Sequence, residues 1–103
     1  MGYYSVLTVR PSLNARIPLV DELNQAIEKL EYSNELKFDQ NGHCSSDYES
    51  RRYYDDAELA LLLSKYLMSG QIQLEYYGED EQWGWRITPN KVEKLKAILI
   101  PEK

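Results

Sequence analysis

The sequence predicts an α+β domain: two layers, with an antiparallel-dominated sheet of four to five strands and two helices packed on one face. Three observations predict it. The stretch Gln71–Arg86 alternates Ile72, Leu74 and Tyr76 with polar neighbours, breaks at Gly78-Glu79-Asp80-Glu81, and resumes with Trp83, Trp85 and Ile87. A period of two on both sides of a Gly-led acidic tetrad describes an antiparallel hairpin. Leu59, Leu62, Leu63, Tyr66 and Leu67 then mark one amphipathic helix, and Val20, Leu23, Ile27 and Leu30 another. The 103 residues fit a single domain, 1–103.

Taken in order, Tyr3–Val9 alternates with apolar character on both faces, as an interior strand does, and Pro11 stops it for want of a donor. Pro18 suits a first helical turn, and Pro18–Glu31 is read as helix. Leu36 and Phe38 alternate with Lys37 and Asp39, predicting a short strand ended by Asn41-Gly42. His43–Arg52 is polar and aperiodic, the longest candidate surface loop, with a short extended piece at Arg51–Tyr54. Asp55 with Glu58 three residues later reads as a capping pair for the second helix, and Gly70 as its stop. The helix is expected to cover the tryptophan face of the hairpin. Residues 91–100 divide the reading: Glu93, Lys94, Lys96 and Ala97 favour helix, whereas Ile98-Leu99-Ile100-Pro101 favours strand.

Seventeen acids against twelve bases leave a net charge of −5. That opposes direct nucleic-acid binding, which requires bases to displace counterions, and is compatible with a basic protein surface as partner. A lone cysteine, Cys44, and no apolar run of membrane length point to the cytoplasm and away from a membrane. Nine tyrosines suit half-buried sheet positions or an interface.

From Tyr53 onward the chain resembles small α+β hypothetical proteins of phages and mobile elements. The residues that carry the resemblance are Tyr53-Tyr54-Asp55, Gly78-Glu79-Asp80-Glu81, Trp85-Arg86 and Asn90-Lys91-Val92. Relatives often place a His after the Tyr-Asp pair; Asp56 stands there and removes any site built on it. The resemblance implies a strand for the last segment. It also implies a phage setting, in which small acidic proteins block host enzymes.

Catalytic patterns are weak. His43-Cys44 are adjacent, with no second His to complete a nucleophile-and-base pair, and the ligand types for a metal are too few. Asp55, Asp56 and Glu58 are read through capping, and no phosphate-binding glycine pattern occurs. The sequence therefore predicts no enzyme, no metal and no cofactor. The leading expectation is an inhibitor of a host defence or nucleic-acid enzyme, contacting its basic surface through Glu75, Tyr77, Glu79, Asp80 and Glu81. A second reading is a small-ligand or nucleotide-binding module using Arg51, Arg52 and Tyr54, and a third a homo-oligomeric subunit, in its simplest form a homodimer.

Overall fold

The structure, a computed structural model, describes residues 5–31, 33–44, 48–51, 55–78, 82–97 and 100–101. Its elements are β1 (Ser5–Pro11), α1 (Val20–Ile27), β2 (Tyr48–Arg51), α2 (Asp56–Tyr66), β3 (Ile72–Tyr77), β4 (Gln82–Thr88), β5 (Lys91–Ala97) and β6 (Ile100–Pro101). Among the described residues the strands form one antiparallel sheet in the order β2-β1-β3-β4-β5-β6. The four long strands β1, β3, β4 and β5 are contiguous, and the two short ones flank them. Together with two helices this is an α+β arrangement.

Strand β3 lies at the middle because both of its edges are filled, by β1 on one side and by β4 on the other. Five consecutive residues, Ile72 to Tyr76, are buried. Ile72, Leu74 and Tyr76 point into the main core with Leu7 of β1, Ile87 of β4, Leu23 and Ile27 of α1, and Leu59 and Leu63 of α2. Helix α2 lies against β4 and β5, and α1 lies against α2. Among the described residues no helix is long and apolar enough to cross a membrane.

The hairpin and the strand assignment for 91–97 agree with expectation; the segment at Leu36–Phe38 does not. Leu36 and Phe38 are buried, as their alternation implies, but they join no strand. The Asn24 side chain takes the place of a neighbouring strand. Its amide donates to the Phe38 carbonyl at 2.9 Å and its oxygen accepts the Phe38 N–H at 2.9 Å. Asp39 then closes the turn, accepting from the N–H groups of Asn41 and His43. An isolated bridge to Cys44 completes the segment. A side chain fourteen residues away satisfies the backbone that a ladder would otherwise have taken.

Both helices are shorter than their sequence patterns. Helix α1 ends at Ile27, and the N–H groups of Lys29 and Leu30 turn back three residues to Ala26 and Ile27. Such bonds tighten and close a final turn. Helix α2 ends at Tyr66, and Leu67 is already extended. The chain then pairs with the loop after β1: the Met68 N–H donates to the Arg16 carbonyl, and the Arg16 N–H to the Ser69 carbonyl. Gly70 is therefore not the helix stop. It turns the chain into β3 at φ 78°, backed against Ala15 so closely that a Cβ there would sit 2.6 Å from the Ala15 nitrogen. The polar loop expected over 43–52 also contains β2, at the edge beside β1.

Candidate functional site

The register of β3 with its neighbours builds a polar row on the sheet face opposite the main core. Arg10 on β1 pairs with Gln73, and Gln73 pairs with Arg86 on β4, which pairs with Glu93 on β5. In the next row Glu75 stands opposite Gly84. Fully buried Leu95 comes after Gly84, on the same face but apart from the main core.

Within this face Glu75 gathers three donors. Arg10 Nε and the Tyr77 hydroxyl each donate to Oε1 at 2.8 Å, and Gln73 Nε2 donates to Oε2 at 2.8 Å. The Glu75 side chain is 2% exposed, whereas that of Arg10 is 62% exposed. Burial alone would raise the Glu75 pKa. The hydrogen bonds from Arg10, Tyr77 and Gln73, with the charge of Arg10, outweigh that and hold it below the ordinary glutamate value. Its hydrogen bond with Glu75 raises the Tyr77 pKa, with burial acting in the same direction. Alternation places Glu75 on the polar face, and there its three partners close over it and leave its side chain buried.

On the core face a second carboxylate organises both tryptophans. Trp83 Nε1 donates to Asp56 Oδ2 at 3.0 Å and Trp85 Nε1 donates to the same oxygen at 2.7 Å. Residues two apart on a strand share a face, so the Trp83-Gly84-Trp85 spacing aims both indoles at the first turn of α2. Trp83 also stacks on Tyr76, with ring centroids 5.0 Å apart and planes 8° from parallel. Lys94 Nζ lies 5.9 Å from the centre of the Trp85 ring. Both indoles are half-buried against the core, beneath the helix expected to cover them.

Asp55 occupies the N-cap position of α2 but makes no capping bond with its side chain, which corrects the expected capping pair. Its carboxylate accepts instead from the Ser33 hydroxyl at 2.6 Å and the Ser33 N–H at 3.1 Å. The two adjacent aspartates therefore face different ways. Asp55 ties the start of α2 to the segment after α1, and Asp56 ties it to β4.

Of the residues expected to bind a partner, Tyr77 is half-buried at the end of β3, and Glu79, Asp80 and Glu81 lie outside the described residues. Of the expected ligand contacts, Arg51 falls on β2, while Arg52 and Tyr54 lie outside the described residues. His43 is exposed, and its backbone carbonyl and N–H bond with Asp39. Among the described residues no group of three or more His, Cys, Asp or Glu side chains converges as a metal site would. Arg10 and Asp56 were missed from the sequence as site builders. The Trp-Gly-Trp spacing put both indoles on one face, but nothing local identified Asp56 as their shared acceptor.

No protein-family model matches the chain, no curated protein matches its sequence, and no solved structure matches its fold.

Proposed function

We propose that this two-layer domain is a non-enzymatic interaction protein that occupies a basic surface of its partner and excludes a polyanionic ligand from it. The partner class is a nucleic-acid enzyme or a host defence protein. One observation carries the reading: Tyr77 pairs with Gln82. The connection between the two central strands is therefore Gly78-Glu79-Asp80-Glu81, an acidic stretch joined to the most deeply anchored part of the fold. Glu75, pinned by Arg10, Gln73 and Tyr77, holds the base of that connection. Tyr77 supplies an amphipathic ring beside it. Opposite charge across such a contact steers association and sets its salt dependence.

The test is capture of basic nucleic-acid-binding proteins on the immobilised domain over a salt series. Capture is expected at low salt and lost as salt rises. Charge reversal at Glu79, Asp80 and Glu81 to lysine should abolish it. Undiminished capture by the reversed variant at low salt would overturn the proposal.

A further inference from the structure

A second feature lies away from the hairpin and does not depend on the reading above. Between α1 and α2 runs a cleft of about 560 Å³, inside the roughly 300–1,000 Å³ range of small-molecule sites. Its apolar lining comes from Ala26 and Leu30 on one side and Leu61 and Leu62 on the other. Leu61 is 56% exposed, a large apolar side chain left open in the middle of a helix.

The cationic groups of the cleft are Lys29 and Lys65, one from each wall. Neither has a carboxylate within ion-pair distance among the described residues. Two lysines against the one carboxylate of Glu58 leave this cleft positive in a chain whose net charge is −5. Glu58 stands seven residues before Lys65 on α2, about 10 Å along the helix axis, so the two charges mark opposite ends of that wall. At the Lys65 end the turn between β4 and β5 is fixed to α2, the Asn90 N–H donating to the Ser64 carbonyl at 2.9 Å. Asn90 thereby places an amide at the same end of the cleft.

We propose that this cleft binds an amphipathic carboxylate of the fatty-acid class. The carboxylate sits at the Lys65 and Asn90 end, with Lys29 adding positive charge from the facing wall, and the alkyl chain lies along Leu61, Leu62, Leu30 and Ala26. An apolar floor with cations on both walls selects an anionic head over a cationic or neutral one. Chain length sets the affinity, because each methylene buried tightens binding by about fourfold.

The experiment is a titration of the isotope-labelled chain with decanoate, followed by amide NMR shifts and calorimetry below the self-association concentration of decanoate. Octanoate, decanol and decyltrimethylammonium serve as comparison ligands. Saturable decanoate binding is expected, with shifts on both walls, and octanoate should bind about sixteenfold more weakly. Lys29→Glu with Lys65→Glu should weaken decanoate at least tenfold, and Leu61→Ser should weaken it without unfolding the domain. Both lysines are exposed. Lys29→Gln with Lys65→Gln replaces the reversed pair if that variant fails to fold, with the same expectation in smaller degree. The proposal is overturned by absence of saturation, by equal affinity for the alkylammonium, or by unchanged decanoate affinity in a folded lysine double variant.

Discussion

Arg10 and Glu75, 65 positions apart in the chain, are joined by a 2.8 Å hydrogen bond across adjacent strands. The bond unites an exposed guanidinium with a carboxylate that water barely reaches. Their environments differ, so loss of one partner is not equivalent to loss of the other. Arg10 can return to water, whereas Glu75 without Arg10 stays buried with only Tyr77 and Gln73 as donors.

Glu75→Gln is expected to destabilise the domain by about 1–3 kcal/mol at neutral pH, the range for hydrogen bonds lost to a charged buried group. The pH dependence separates this from simple packing loss. The Glu75 pKa is lower in the folded chain than in the unfolded one, so the stability it contributes is complete above the unfolded value, about 4.3, and is lost as pH falls through the folded one. Urea melts from neutral pH downward should show a shallower acid loss in the variant than in the parent.

Tyr77→Phe tests the same cluster from the alkaline side. The Tyr77 pKa is raised on folding, so its contribution is intact below the unfolded value, about 10, and is lost as pH rises through the folded one. The parent should therefore lose stability more steeply than the variant in alkaline melts, and the two curves should converge at the highest pH.

Asp56→Ala removes the acceptor shared by Trp83 and Trp85. A cost of about 1–2 kcal/mol is expected, at the lower end for bonds to a charged group because water can reach the half-buried indoles. Tryptophan emission should shift to longer wavelength in the folded variant. Unchanged emission would mean that the indoles hold their places through the Tyr76 stack and core packing alone.

Asn24→Ala withdraws both bonds that hold the Phe38 backbone. A loss of about 1–3 kcal/mol is expected, together with faster amide exchange at Phe38. Asn24→Asp, which keeps an acceptor and loses the donor, should fall between the parent and the alanine variant.

Gly70→Ala and Gly42→Ala make a graded pair. Both glycines have positive φ, but a Cβ at Gly70 meets Ala15 backbone at 2.6 Å, whereas at Gly42 it meets the end of the Ile72 side chain at 3.1 Å. Backbone cannot step aside as a side-chain end can. Gly42→Ala should cost about 1–2 kcal/mol and Gly70→Ala about 2–4 kcal/mol in denaturant melts.

Which parts of this fold were legible follows from how local each cause is. The hairpin was readable because alternation in Ile72–Tyr76 and Trp83–Ile87 belongs to the strands themselves. The last long strand was not decided by its own residues, since Lys91–Ala97 mixes good helix formers with a strand-like ending; pairing with β4 decides it. The Leu36–Phe38 alternation was real as burial and misleading as strand, because Asn24, distant in sequence, supplies the backbone partners. The burial of Glu75 was hidden for the same reason. Period-two logic puts it on the polar face, but whether a polar face is wet depends on Arg10, reached only through the β1–β3 pairing. The roles of Asp55 and Asp56 were hidden likewise, one turned to Ser33 and the other to two indoles.

The seating of β1 between β2 and β3 has a consequence for biosynthesis. Strand β1 can take β2 as its first neighbour, but its other edge waits for β3, whose paired residues follow some sixty positions later (Pro11 with Ile72), while β3, β4 and β5 can zip to one another as they emerge. Until β1 docks, that edge of β3 is an open template for any extended peptide nearby. A nascent chain stalled or clipped before that docking is the form of this protein that chaperones would have most reason to hold.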